Sequence, residues 1–178
     1  AVTGLITTAD GRAIRFARWR PAHARGTVTL ISGRAEFIEK YCEVVRELMA
    51  RGFAVAMFDW RGQGGSERPL ADPAKGHVAD FAEFDADVTR FMRDIVLPDC
   101  PPPYVALAHS MGGNIILRTS VVPGSLFDRM VLAEQLAVMD LIALGEVLLL
   151  PEDDLTLATV LKGPLTGLSE EDLFELAH

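Results

Sequence analysis

The chain has 178 residues, of which 49% are hydrophobic, so it is long and apolar enough to bury one core and is not a disordered chain. Its formal net charge of −8 is uneven. Residues 1–133 carry 16 Lys and Arg against 15 Asp and Glu, whereas residues 134–178 carry one Lys against ten acidic residues. The acidity of this second segment disfavours nucleic-acid binding.

Cysteines and apolar runs limit the class of protein further. Cys42 and Cys100 form neither a disulfide framework nor a metal-ligand spacing, and we expect no cofactor. No signal-peptide pattern opens the chain. The longest apolar run, Leu141–Leu150, is too short to span a bilayer and contains Glu146. These features predict a soluble, cytoplasmic protein with free thiols.

Patterns typical of strands and helices alternate along residues 1–133. The predicted strands are, in chain order, Leu5–Thr8, Ala13–Trp19, Thr27–Ile31, Phe53–Phe58, Tyr104–Ala108 and Arg129–Ala133. The first two flank Asp10-Gly11, which predicts a β-hairpin. Helices are predicted for Phe37–Met49, for the stretch from Asp80 until Pro98 ends it, and from Met111 onward. The alternation predicts an α/β fold with a mainly parallel, doubly wound sheet.

Ser110 lies where a predicted strand meets a predicted helix, with only a sharp turn between them. Small residues stand two positions away on each side, at Ala108 and Gly112. Such a turn exposes the serine hydroxyl at the start of a helix, as in a nucleophile elbow of the form Ala-x-Ser-x-Gly. The alternative is a serine in an ordinary strand–helix turn that caps the helix.

Four segments together carry a family resemblance. They are Ser32–Phe37, Asp59–Ser66, Lys75–His77 and Ala108–Gly113. With them, residues 1–133 resemble the first part of an α/β-hydrolase, within the monoacylglycerol lipase and lysophospholipase group of serine hydrolases. That group usually has His-Gly after the third strand, where this chain has Ser32-Gly33. The resemblance implies an incomplete α/β-hydrolase fold and a small-molecule ester or lipid substrate, with peripheral contact to a membrane.

Roles for individual residues follow from this resemblance and from the chemistry of ester hydrolysis. Ser110 would attack the ester carbonyl, and the backbone N–H groups of Arg34 and Met111 would bind the resulting oxyanion. Gly33 would let the backbone approach the site. The alternative for Arg34 is an exposed surface residue whose N–H opens a helix.

The glycine-rich loop after the fourth strand allows another interpretation. Gly62-Gln63-Gly64 begins a dinucleotide-binding pattern, but the third glycine would fall on Glu67, which argues against such a site. We instead expect Asp59 and Arg61 to fix this loop through local hydrogen bonds.

The acid and base of a catalytic triad remain unknown. In this fold they follow the nucleophile in the order Asp or Glu, then His, and Asp140 and His178 are the only formal candidates. His109 adjoins the nucleophile and points the wrong way for proton transfer, so we interpret it as structural, and His77 as a loop-fixing residue. The alternative function is a catalytically inactive, truncated or fused hydrolase fragment that lacks both groups.

Residues 134–178 have a helical pattern throughout, starting with an apolar helix at Gln135–Leu150. They are either a short helical cap of the hydrolase or a foreign segment joined near Ala133-Glu134, because they also resemble an internal segment of a bacterial double-strand-break repair helicase–nuclease. We expect the apolar helix to cover the sheet edge beside Arg129–Ala133. A bare strand edge would promote self-association.

Overall fold

The computed structural model describes residues 1–73, 75–120 and 125–133. Contacts within the chain separate residues 1–133 from residues 134–178, and the fold below is that of the first unit. The predicted helix at Gln135–Leu150, the formal triad candidates Asp140 and His178, and the choice between a cap and a foreign segment all lie outside the described residues.

Six strands form one sheet. They are β1 (Val2–Thr7), β2 (Ala13–Trp19), β3 (Thr27–Ile31), β4 (Ala54–Phe58), β5 (Tyr104–His109) and β6 (Arg129–Ala133). Their order across the sheet is β1-β2-β4-β3-β5-β6. Strands β4, β3, β5 and β6 are parallel, whereas β1 and β2 form an antiparallel hairpin that joins β4 through β2. The predicted hairpin and the mainly parallel sheet are confirmed.

The helices differ from their predictions at the ends. They are α1 (Cys42–Ala50), α2 (Ala82–Phe91), α3 (Leu97–Asp99) and α4 (Met111–Ser120). The helix predicted from Phe37 starts instead with a 3-10 turn, Ile38–Tyr41. A π-helical segment, Met92–Val96, joins α2 to α3. Pro98 lies inside α3 rather than after it, because a proline in a first helical turn needs no acceptor for an N–H.

Both faces of the sheet are covered. On one face, the ring of Trp60 packs edge-on against Phe58 and Phe84, with centroids 4.7 and 5.2 Å apart, and α2 and α4 add further apolar side chains. On the other face, Val55 and Val45 belong to a second cluster under α1. Every residue of β3 and β4 is buried, as expected for central strands of a parallel sheet.

The two outer strands of the described sheet are β1 and β6. On β6, Met130 and Val131 are exposed, so the self-association predicted for this edge stays a prediction. Cys42 is exposed, Cys100 is buried and both are free. Within the described residues, no helix is both long and apolar enough to cross a membrane.

Candidate active site

The predicted nucleophile lies at the carboxyl end of the sheet. Strands β3 and β5 are parallel neighbours in which Ile31 pairs with Ala108, so the loops that follow them meet at one edge. Ser110 lies between β5 and α4, is partly buried and has a φ of +55°. A non-glycine residue rarely adopts this left-handed conformation. It is the backbone geometry that a nucleophile elbow requires.

Two glycines allow the close packing around this turn. A β-carbon on Gly33 would lie 2.9 Å from the β-carbon of Ser110. A β-carbon on Gly112 would lie 2.6 Å from the carbonyl oxygens of Ile31 and Ser32. Neither position has room for a side chain. The backbone of the loop after β3 and of the first turn of α4 can therefore pack directly around Ser110.

The two predicted oxyanion donors lie on either side of this contact. Arg34 belongs to the turn after β3 and its side chain is exposed, while Met111 is the first residue of α4. In the described part of the chain, neither backbone N–H donates to a turn, loop or side-chain acceptor. Free N–H groups at a helix start carry a partial positive charge, so this arrangement can bind a negatively charged oxygen.

A half-buried carboxylate, that of Glu36, connects the loop after β3 to the end of β5. The carboxylate of Glu36 accepts hydrogen bonds from the N–H of Gly33 at 2.7 Å, the hydroxyl of Tyr41 at 2.7 Å and Nζ of Lys40 at 3.0 Å. It also lies 3.0 Å from Nδ1 of His109. Sequence reasoning missed this role of Glu36. The available signal was an acidic residue just after a buried strand with Lys four residues later.

These contacts determine the ionisation of Glu36. Burial alone would raise its pKa, but the hydrogen bonds from Tyr41, Gly33, Lys40 and His109 outweigh burial and lower the pKa to about 2. Burial, followed by the nearby Glu36 carboxylate, raises the pKa of Tyr41. Glu36 is therefore ionised at neutral pH and holds its four partners as an anion.

We expect Glu36 to make the stability of the fold depend on acid pH. The carboxylate has a pKa of about 2 in the folded chain against an ordinary value of 4.5, so the unfolded chain binds more protons between these values. The stability that Glu36 provides is present above pH 4.5 and is lost as the pH falls toward 2. The free energy of unfolding of a Glu36→Gln variant, measured with urea between pH 4.5 and pH 2, should therefore fall less steeply with decreasing pH than that of the parent chain.

Glu47→Gln is the matched control, because the side chain of Glu47 is 63% exposed and, among the described residues, pairs only with Arg51. Its pH dependence should follow that of the parent chain. If Glu36→Gln and the parent lose stability in parallel below pH 4.5, the Glu36 carboxylate is not the group that titrates.

The loop after β4 is built around Asp59, which is completely buried. Its carboxylate accepts hydrogen bonds from the N–H groups of Ile38 at 2.9 Å and Gly65 at 2.7 Å, and from Nε of Arg15 at 2.6 Å. A β-carbon on Gly64 would overlap this carboxylate. The glycines therefore make room for Asp59 and not for a dinucleotide, and the predicted structural role of Asp59 is confirmed.

Arg61 fixes the same loop through distant partners rather than local ones, which corrects the prediction. Its guanidinium makes two hydrogen bonds of 2.6 Å with Asp87 on α2. It also binds Asp10, in the β1–β2 turn, and Glu83 on α2. The loop is thereby tied to both the hairpin and the helix layer.

The histidines of the described residues differ in their contacts. His109 binds Glu36, in agreement with its predicted structural role. His77 is exposed, and its side chain makes no hydrogen bond to the described residues, so the predicted loop-fixing contact is absent there. It lines a cavity of about 310 Å³ together with Arg34 and Met111.

Groups of three or more metal-ligating side chains are absent from the described ranges.

Comparison with known proteins shows the family to which the chain belongs. Residues 22–136 match the Hydrolase_4 family, described as serine aminopeptidase, S33. Lysophospholipase L2 of Escherichia coli K12 is 41% identical over 110 residues, which are 62% of this chain and 32% of that protein. Human monoglyceride lipase is 32% identical over 133 residues, which are 74% of this chain and 42% of that protein. The match thus spans about a third of the length of the bacterial relative.

Solved structures show the same fold at lower identity. An esterase from Exiguobacterium antarcticum superposes with a TM-score of 0.60 at 18% identity, covering 82% of this chain and 57% of that one. Mouse alpha/beta hydrolase domain-containing protein 10 gives a TM-score of 0.59 at 17% identity, covering 74% and 49%. The predicted α/β-hydrolase fold is confirmed, and the chain belongs to the Hydrolase_4 family (serine aminopeptidase, S33).

Proposed function

We propose that this chain provides the nucleophile and the oxyanion hole of a serine hydrolase that cleaves the carboxylic ester of a monoacylglycerol or lysophospholipid. The observation that carries the proposal is the left-handed backbone of Ser110, with a φ of +55° between β5 and α4. A strained conformation at a strand–helix turn is typical of functional positions. The free N–H groups of Arg34 and Met111 support the same assignment.

The reaction would run through an acyl-enzyme. The hydroxyl oxygen of Ser110 attacks the ester carbonyl carbon, and the carbonyl oxygen becomes an oxyanion held by the N–H groups of Arg34 and Met111. Each such donor contributes about 3–4 kcal/mol in comparable sites. The C–O bond then breaks, the glycerol-side alcohol leaves with a proton, and water hydrolyses the acyl-Ser110 ester. In this fold the triad acid and base follow the nucleophile, and the described residues after Ser110, 111–120 and 125–133, contain no histidine.

The substrate class rests on the names of the two relatives and on the cavity beside Met111. This cavity of about 310 Å³ is lined by the apolar residues Val78, Phe81 and Phe84 and by polar residues that include Arg34, Arg61, Gln63 and His77. Apolar and aromatic walls with a few polar groups are typical of pockets for amphipathic ligands. They favour an ester with a hydrocarbon chain.

Labelling with a fluorophosphonate probe tests the nucleophile. We expect the parent chain and a Ser120→Ala control on the same helix to be labelled, and Ser110→Ala to lose labelling completely, because the probe reacts with an activated serine hydroxyl. Equal labelling of parent and Ser110→Ala would exclude Ser110 as the nucleophile. A parent chain that is neither labelled nor able to hydrolyse a monoacylglycerol would support the alternative of an inactive hydrolase fragment.

A further inference from the structure

A second cavity lies between the loop after β3 and the glycine-rich loop after β4. Its volume is about 590 Å³. It shares Arg34, Gln63 and Gly76 with the cavity beside Met111, so the two cavities adjoin. Gln63 joins the two loops directly, because its side-chain oxygen accepts a hydrogen bond of 2.5 Å from the N–H of Ala35. A molecule bound in the cavity beside Met111 can therefore extend into this second cavity.

The charged side chains of the second cavity are three arginines and two glutamates. They are Arg15, Arg34, Arg68, Glu36 and Glu39. Both carboxylates already have cationic partners, since Glu39 makes two hydrogen bonds, of 2.7 and 2.8 Å, with Arg15 and Glu36 pairs with Lys40 at 3.0 Å. Arg15 is further neutralised by the buried Asp59.

Two guanidinium groups are left without an anion. Among the described residues, neither Arg34 nor Arg68 forms an ion pair or a hydrogen bond with a carboxylate. Nη2 of Arg68 donates only to the carbonyl oxygen of Gly64, at 3.2 Å. Its Nη1 is buried and has no acceptor among the described residues. Both guanidinium groups therefore retain N–H donors for which the described residues supply no anion.

We propose that Arg34 and Arg68 form an anion subsite that receives the phosphate of a lysophospholipid whose ester lies at Ser110. Guanidinium groups bind phosphate oxygens through paired, charge-assisted hydrogen bonds. A phosphodiester satisfies both arginines, whereas an uncharged monoacylglycerol leaves both unpaired. The inference rests on the proposed function of Ser110, and it selects the lysophospholipid over the monoacylglycerol as substrate.

Binding of two ether analogues tests the subsite without hydrolysis. The pair consists of 1-O-hexylglycerophosphocholine and 1-O-hexylglycerol, which differ in the headgroup and have no ester to cleave. We expect calorimetry with the full chain to show about hundredfold tighter binding of the phosphate-containing ether, since each of the two arginines contributes about tenfold through hydrogen bonds to a charged group. Arg34→Gln and Arg68→Gln should each remove about tenfold of that affinity.

Arg46→Gln is the matched control, because Arg46 is exposed on α1 and its replacement removes one positive charge, as the other two substitutions do. It should leave the affinity for both ethers unchanged. Equal affinities of the parent chain for the two ethers would overturn the proposal. Inorganic phosphate that binds in an Arg34- and Arg68-dependent way while the ethers bind alike would identify a free-phosphate site and would also overturn it. Because ethers are not cleaved, these outcomes are independent of whether Ser110 is labelled by the fluorophosphonate probe.

Discussion

Replacing Asp87 by alanine is expected to lower the free energy of unfolding by about 3–5 kcal/mol. The side chain of Asp87 is completely buried, and that of Arg61 is 5% exposed. Removal of the Asp87 carboxylate leaves the buried guanidinium charge of Arg61 without its bidentate partner. Asp10 and Glu83 also bind Arg61, but their side chains are 47% and 31% exposed, so solvent weakens the compensation they offer.

Asp94→Ala is the control for this experiment. Asp94 also pairs with an arginine at 2.6 Å, Arg90, but both side chains are more than a third exposed, and such pairs contribute about 0–1 kcal/mol. Urea denaturation with linear extrapolation measures both variants against the parent. Similar losses for Asp87→Ala and Asp94→Ala would show that burial of the Arg61 pair does not determine its importance.

The second large effect is expected at Gly112, where alanine should destabilise the fold by about 1–3 kcal/mol. The added β-carbon would lie 2.6 Å from the carbonyl oxygens of Ile31 and Ser32. Because these atoms belong to the backbone at the end of β3, the start of α4 must move away to make room. This movement would displace Ser110 and the N–H of Met111, so fluorophosphonate labelling should also slow.

The neighbouring glycine is a control in the same helix turn. Among the described residues, a β-carbon on Gly113 would meet only the side chain of Leu132, at an ordinary 3.5 Å. Alanine should therefore stabilise the chain there by about 0.5–1 kcal/mol, because glycine is unfavourable within a helix. If thermal unfolding shows that Gly112→Ala and Gly113→Ala both raise or both lower the melting temperature relative to the parent chain, the close contact between α4 and β3 does not determine which residues are tolerated at position 112.

The strands and the sharp turn at Ser110 could be predicted from the sequence because their signals are local. Thr27–Ile31 is an uninterrupted apolar and β-branched run, and the observed β3 has the same bounds. Ser110 has small residues on both sides within a strand–helix junction. Patterns of this kind depend on residues a few positions apart, which a single sequence displays directly.

The contacts that support the candidate site could not be predicted in the same way. Glu36 reaches His109 across 73 positions of sequence, and Arg61 reaches Asp10 across 51. Only the strand order brings these groups together, and that order is not written in any local pattern. The 3-10 turn at the start of the predicted Phe37–Met49 helix was missed for the same reason, since Asp59, which lies in another loop, accepts a hydrogen bond from the N–H of Ile38.

The strand order has a consequence for how the chain acquires its fold during translation. Strand β3 lies between β4 and β5, and residues 59–103 must be synthesised after β4 before β5 emerges from the ribosome. Until the nascent chain extends to His109, one side of β3 has backbone donors and acceptors without partners, next to residues that are all buried in the final sheet. An unpaired apolar strand edge is a template for association with other chains. Nascent chains of this sequence should therefore depend on a chaperone most while residues 59–103 are being made.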